Sequence, residues 1–537
     1  MSGEAKDDHT NDTEKMGESD SDSSSMHSLP VPIVTPQPDL EKTTTKTSHR
    51  TSRSGRSNHV PTTAQDWDGE DDPDNPINWP LSVKIYHTVV PALQCFTITF
   101  GSSVYTPSVP EVARHFGVST TAALVPLTVY VMGLGFGPVL SAPLSETYGR
   151  RAVYLTFFPP SLLLSLGAGL SKSFASLVIC RLFAGILGSG CLAVGAGTNS
   201  DLWSHLHRAA ASAVFLMAPF LGPALGARVG PALGGYVSMK RDWRWTQWLI
   251  LFCGVIAYAI SLPERETYKK IILKKRAQKL GLTPPPNPLP PGMSKLRFIV
   301  VVTVLRPLRM LFTESIVAFF SAYTAFNFSV LFGFFAAFPL VFESPYPEIQ
   351  IYHFNTGESG LVFLGIGLGV VLATFIFIYI DRLIYRKKTL KRRSQGDFTP
   401  LAPEERLWAA MLGSFLLPLG LFWFAWTAKK EIHWISPIIA TVPFGIGNLL
   451  VFCSCVLYLI DTYGPLAGAS AAAANGFLRY VIGAVFPLFT VQMYRGMGVA
   501  WATSLFGFIT IALLPIPWIL YRYGARIRQR SAYTLAS

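Results

Sequence analysis

Apolar stretches of about 20 residues recur between about Tyr86 and Tyr521 of this 537-residue chain, and that repetition restricts its fold more than any other feature. A helix of that length crosses a hydrocarbon layer of roughly 30 Å, whereas a single soluble core has no use for a dozen such runs. Half of the residues are hydrophobic and 14% are charged, against a charged share of roughly 25% in soluble domains. The runs predict spans near 86–104, 123–144, 152–170, 175–198, 209–234, 245–262, 316–338, 360–380, 407–426, 435–460, 468–489 and 499–521, twelve in all. A polar break from Pro263 to Arg309, containing Thr283-Pro-Pro-Pro-Asn-Pro-Leu-Pro-Pro291, divides them six and six. The expected fold class is therefore an all-α membrane protein of twelve transmembrane helices in two six-helix bundles, 86–262 and 310–521, joined by a cytosolic linker over 263–309.

Residues 1–85 are poor in aliphatics and carry a Ser19-Asp20-Ser21-Asp22-Ser23 run. They are too polar to bury a core, so a disordered N-terminal tail is expected. Its last turns, Asp72-Pro73-Asp74-Asn75-Pro76-Ile77-Asn78-Trp79-Pro80, combine turn formers with a Trp suited to the membrane interface. The start is acidic and shows no cleavable signal, so the first span is expected to direct insertion with the N-terminus left in the cytosol. The connections on that side would carry 26 Lys and Arg against 8 on the other. This bias supports both termini inside, with residues 522–537 as a cytosolic C-terminal tail. The formal charge of +13 lies in short loops rather than on an aromatic-interleaved patch, so it reads as topology and not as nucleic-acid binding. The six cysteines fall inside apolar runs without metal-ligand spacing, and no cofactor is expected. No Gly-x-x-x-x-Gly-Lys-Ser/Thr loop for ATP occurs.

Three stretches carry chemistry. The second span ends in Ala142-Pro143-Leu144-Ser145-Glu146-Thr147-Tyr148-Gly149-Arg150-Arg151, where Gly149 permits a sharp turn. Glu146 and the two arginines can pair there and latch helix ends. Arg181, in Arg181-Leu-Phe-Ala-Gly185, sits inside an apolar helix, where a charge costs several kcal/mol unless paired, hydrated or snorkelled to the outer interface. The fifth span reads Gly222-Pro-Ala-Leu-Gly226-Ala-Arg-Val-Gly230-Pro231-Ala-Leu-Gly234-Gly235, small residues at four-residue spacing that let helices approach closely.

In these three places the chain resembles the major facilitator superfamily. Ala142, Glu146, Gly149, Arg150 and Arg151 stand at the positions of its Gly-x-x-x-Asp-x-x-Gly-Arg-Lys signature, and Arg181 and Gly185 at its Arg-x-x-x-Gly motif. Gly226, Gly230, Pro231, Gly234 and Gly235 are in register with the Gly-x-x-x-Gly-Pro-x-x-Gly-Gly motif of its antiporters. Further likeness to the fungal twelve-span drug:proton antiporter branch lies at Asp72–Pro80, Trp243-Arg244-Trp245, Glu266-Thr267-Tyr268, Arg306-Pro307, Phe338-Pro339 and Ala473-Ala474-Asn475-Gly476 with Arg479. The resemblance implies proton or substrate coupling through Arg181, Asn475 and Arg479, and a cytosolic gate at Glu146, Gly149, Arg150 and Arg151.

Two departures stand out. Gly-Pro-Ala-Leu-Gly occurs twice, from Gly222 and from Gly230, as if one helical turn were inserted around Arg228. The seventh span has Phe335-Ala336-Ala337-Phe338-Pro339 where polyamine and cationic-drug relatives often carry an acid. With two arginines at membrane depth, neutral or acidic cargo is expected over polycations. The implied function is a proton-coupled exporter of small amphipathic organic molecules such as secondary metabolites, glycolipids, organic acids or drugs. Its expected partners are substrate, protons and the lipid bilayer, and it would act as a monomer. The plasma membrane is the expected address, with the vacuolar membrane as the alternative. A polyamine exporter, a channel and a membrane-embedded enzyme remain as alternatives.

Overall fold

In hydrocarbon a chain has to satisfy its backbone hydrogen bonds within each segment, and the described residues do so with helices and no strands. The computed structural model describes residues 64–233, 242–285, 301–343, 351–531 and 533, all in one compact unit, Pro61–Ser537. The spanning helices are α1 (Leu81–Ser103), α2 (Val125–Tyr148), α3 (Arg150–Gly169), α4 (Phe174–Leu202, interrupted at Ser189), α5 (Arg208–Leu233) and α6 (Trp245–Ser261). A second set follows: α7 (Ser315–Phe342), α8 (Phe363–Asp381), α9 (Trp408–Thr427), α10 (Ile435–Gly464), α11 (467–497) and α12 (499–529). Most of these ends lie within a few residues of the hydropathy reading. The exceptions are α11 and α12, which run past the expected 489 and 521. α11 can do so because the connection to α12 is reduced to Gly498, whose φ of 74° turns the chain in the left-handed region that favours glycine. Gly464, at φ 68°, makes the same kind of break between α10 and α11.

Large apolar side chains such as Leu163 and Phe375 lie about two-thirds exposed on the outer faces of α3 and α8, as a hydrocarbon solvent allows. α7 is enclosed almost throughout and forms the centre of its bundle. The two bundles meet along α2 against α11, where Gly135 sits beside Tyr480, and along α5 against α8, where Gly367 sits beside Ala224.

The tail differs from expectation over residues 64–85. Asp72 and Asp74 there take the guanidinium of Arg276 at 2.8 and 2.7 Å, and both Asp72 and Arg276 are buried. Arg276 belongs to a helix, Lys269–Leu280, inside the stretch read as the cytosolic linker. An acidic segment that cannot form an apolar core is held instead by charge-assisted hydrogen bonds to one enclosed cation. The proline-rich part of the linker, 286–300, lies outside the described residues.

Candidate functional site

Arg181 turns into the first bundle rather than out to the interface, and it is fully buried. One terminal nitrogen donates to the Gly101 carbonyl at 3.0 Å and the other reaches Gln247 Oε1 at 3.5 Å. The guanidinium also stacks on the rings of Tyr130 and Tyr105, 4.4 and 5.0 Å from their centroids. Those phenols are anchored in turn, Tyr130 donating to the Ile98 carbonyl at 2.7 Å and Tyr105 to the Ala123 carbonyl at 2.9 Å. A cation at membrane depth is thus compensated by a carbonyl dipole, an amide and two π faces, with no carboxylate among the described residues, and it ties α1, α2, α4 and α6 together.

In the second bundle Asn475 is buried and donates to Thr324 Oγ1 at 2.6 Å, linking α11 to α7. Arg479 lies one turn further along the same face of α11. Its guanidinium is flanked by the rings of Phe452, Phe328 and Tyr480, at 4.2, 4.7 and 4.7 Å. Among the described residues it has no hydrogen bond and no ion pair.

The cytosolic cluster is built differently from the sequence expectation. Glu146 is exposed and has no hydrogen bond or salt bridge among the described residues, acting on Arg150 only through space. Arg150 pairs instead with Asp201, at the inner end of α4, through Nε at 3.2 Å, donates to Ser145 Oγ at 2.7 Å and lies over the Tyr268 ring. The Glu266 carboxylate accepts from the backbone N–H groups of Arg150 at 2.8 Å and Arg151 at 3.3 Å, capping α3 at its positive end. Gly149, at φ 104°, is needed twice over, because a Cβ there would collide with that carboxylate. Arg151 donates to the Leu262 carbonyl at 3.3 Å. Among the described residues these contacts all lie within the first bundle and the segment leaving it.

The same arrangement recurs in the second bundle. Arg406, just before α9, bonds Asp461 at the inner end of α10 at 2.9 Å and Asp381 at the end of α8 at 2.7 Å, with its guanidinium over Tyr385. Asp201, Arg406, Asp381 and Asp461 were not singled out from sequence as partners, and Glu266 entered only within the Glu266-Thr267-Tyr268 likeness. The signal available was a repeat: in each half an arginine opens the third helix and an acid closes the fourth.

The α5 seam faces α1. A Cβ at Gly222 would strike Thr99 and the Phe100 backbone, and one at Gly226 would strike Ser103 and the Phe100 carbonyl, so glycine is what allows this approach. Gly230 and Pro231 continue the helix. Gly234 and Gly235 lie outside the described residues.

Glu264, in the segment after α6, is 3% exposed and neither carboxyl oxygen has a hydrogen-bond partner among the described residues. Burial pushes its pKa up to about 8, with Arg151 pulling it down and Glu266 pushing it further up. Between the ordinary value of 4.5 and about 8 the folded chain keeps a proton that the unfolded chain has released, so stability falls as pH rises through that window. Glu264→Gln is expected to match the parent protein near the lower end and exceed it near the upper end by a few kcal/mol, on the order of 1.4 per unit of displacement. Thermal unfolding midpoints across the window check this, and parallel curves for the two proteins would count against it.

The Major Facilitator Superfamily model matches residues 92–487. The chain is 40% identical over 497 residues to polyamine transporter 4 of Saccharomyces cerevisiae, covering 88% of this chain and 73% of the relative. It is 39% identical over 471 residues to efflux pump FUB11 of Gibberella moniliformis, with 86% and 76% covered. With the MFS-type transporter traF of Penicillium crustosum it shares 36% identity over 478 residues, covering 88% and 93%. Among solved structures, a proton:xylose symporter bound to 6-bromo-6-deoxy-D-glucose superposes with a TM-score of 0.59 at 13% identity, covering 83% of this chain and 96% of that one, a likeness of fold.

Proposed function

This chain belongs to the major facilitator superfamily, and from that premise we propose that it is a proton-coupled exporter of small amphipathic organic molecules working by alternating access. It is a transporter, not an enzyme. The observation that carries the export reading is the α5 seam: Gly222 and Gly226 seat α5 directly on α1 while the other side of α5 packs on α8 of the opposite bundle. A helix held closely on one bundle and in contact with the other is placed to move with the first and slide on the second. Arg181 is the proposed coupling residue, since a permanent guanidinium compensated by dipoles and π faces repels a passing proton and attracts an anionic cargo group, so that its field links the two. Asn475 and Arg479 would serve the same pathway from the second bundle, and the cluster of Gly149, Arg150 and Arg151 would brace the inner gate. Relatives named as efflux pumps support the outward direction. We place the protein in the plasma membrane as a monomer with both termini cytosolic.

A second reading, polyamine export, is favoured by the 40% identity to a polyamine transporter. Against it, every carboxylate in the described spans sits at a helix end, and Ala336 occupies the α7 position discussed above. Several ammonium groups would enter the cavity without counter-charges, each at several kcal/mol.

In inside-out vesicles, an imposed inside-acid gradient is expected to drive accumulation of a neutral amphipathic dye such as Nile red. A protonophore should abolish this, and ATP depletion should leave it. Accumulation that needs ATP under an imposed gradient would overturn the coupling, and gradient-driven accumulation of spermine in preference to the dye would select the second reading.

A further inference from the structure

The two arginines buried at membrane depth in the bundle interiors both leave Nε without a partner among the described residues but differ at their terminal nitrogens. Arg181 is hydrogen-bonded to its own bundle, whereas Arg479 has no hydrogen-bond or ion-pair partner among the described residues. Arg479 is 8% exposed, and its Nε is enclosed without a partner. The two terminal nitrogens are equally unpartnered but are absent from the fully enclosed atoms, so they border open space. The ring of Tyr480 lies 4.7 Å from the guanidinium, and its hydroxyl is also buried and unpartnered among the described residues. The cage around this guanidinium is not the property of one bundle. Phe328 of α7 and Phe452 of α10 flank it, and Phe220 of α5, from the opposite bundle, packs on both rings at centroid distances of 5.9 and 5.2 Å.

A guanidinium held away from water costs several kcal/mol, and three π faces recover part of that while satisfying none of its five N–H donors. The missing element is a planar anion with two oxygens, which the forked donors accept in parallel and which the Tyr480 hydroxyl can supplement. The aromatic surroundings add affinity for an apolar body attached to that anion and disfavour a small inorganic ion. We propose that Arg479 and Tyr480 form a receptor for one anionic group, a carboxylate or sulfate, on an amphipathic cargo whose apolar part lies among Phe220, Phe328 and Phe452. This deepens the export reading and rests on it only in taking cargo to bind where the bundles meet.

Equilibrium binding to the purified full-length protein in nanodiscs, without any gradient, tests it with three matched probes: naphthalene-1-acetate, its neutral amide and the corresponding primary ammonium. The acetate is expected to bind at least tenfold more tightly than the amide, with the ammonium weakest. Arg479→Gln should remove the acetate's advantage while leaving amide binding within about twofold, and Arg479→Lys should keep part of it. Equal binding of the three, preference for the ammonium, no binding by any of them, or an undiminished acetate preference in Arg479→Gln overturns the proposal. The wild-type series decides the matter by itself should the glutamine variant fold poorly. Acetate preference without gradient-driven transport would sink the export reading and keep the site, and gradient-driven transport without acetate preference would do the reverse.

Discussion

Arg181→Ala is expected to lower gradient-driven transport by more than about 100-fold while abundance and membrane targeting stay near normal. The side chain bridges four helices, yet its bonds are to a carbonyl, an amide and two aromatic faces. Its removal therefore strands no buried counter-charge. Gly101 and Gln247 lose a partner, at about 1 kcal/mol or a little more each, while the desolvation of a cation is relieved. Packing should survive this exchange, and coupling should not, because the fixed charge to which coupling is assigned is gone. Arg181→Lys should restore only a minor part, since an ammonium cannot hold the carbonyl and the amide while stacking on both tyrosines. Vesicle transport measured beside surface abundance checks the pair of claims. Normal transport by Arg181→Ala would end the coupling assignment, and loss of protein from the membrane would show a structural role instead.

The second large effect is expected at Asp201. Asp201→Asn leaves Arg150, whose side chain is 11% exposed, without its one ion pair among the described residues. Breaking one side of a buried pair costs about 3–5 kcal/mol. Asp201 is itself 20% exposed and Ser145 and Tyr268 remain in place, so the lower end is expected. The unfolding midpoint should drop by several degrees and transport by about tenfold, because the inner ends of α3 and α4 would no longer be held together. Glu146→Gln, which removes the acid that the loop motif itself supplies, should change transport by less than twofold. Thermal unfolding and transport for both variants decide between the two acids, and a larger effect at Glu146 would restore it as the partner of Arg150.

Much of the architecture was legible without coordinates, because hydropathy is a property of each stretch on its own. Twelve runs long enough to cross a membrane, broken at the middle by a polar segment, leave few folds open. Arg181 was also legible, since a cation in an apolar helix has to be dealt with somehow. How it is dealt with was not: carbonyl, amide and π faces come from α1, α2 and α6, and nothing local to α4 announces them. The acid facing Arg150 shows the same limit. Glu146 lies four residues away and Asp201 fifty-one, and the choice between them depends on which helix ends converge at the inner surface. Glu264 reads as one more charge in a polar loop until the fold closes over it. Arg479 reads as a second charge in a span until Phe220 arrives from the other bundle. Segment composition thus determined the spans and their grouping, while partners, burial of single charges and the cage between the bundles were decided only by tertiary structure, because each is a relation between helices far apart in the chain.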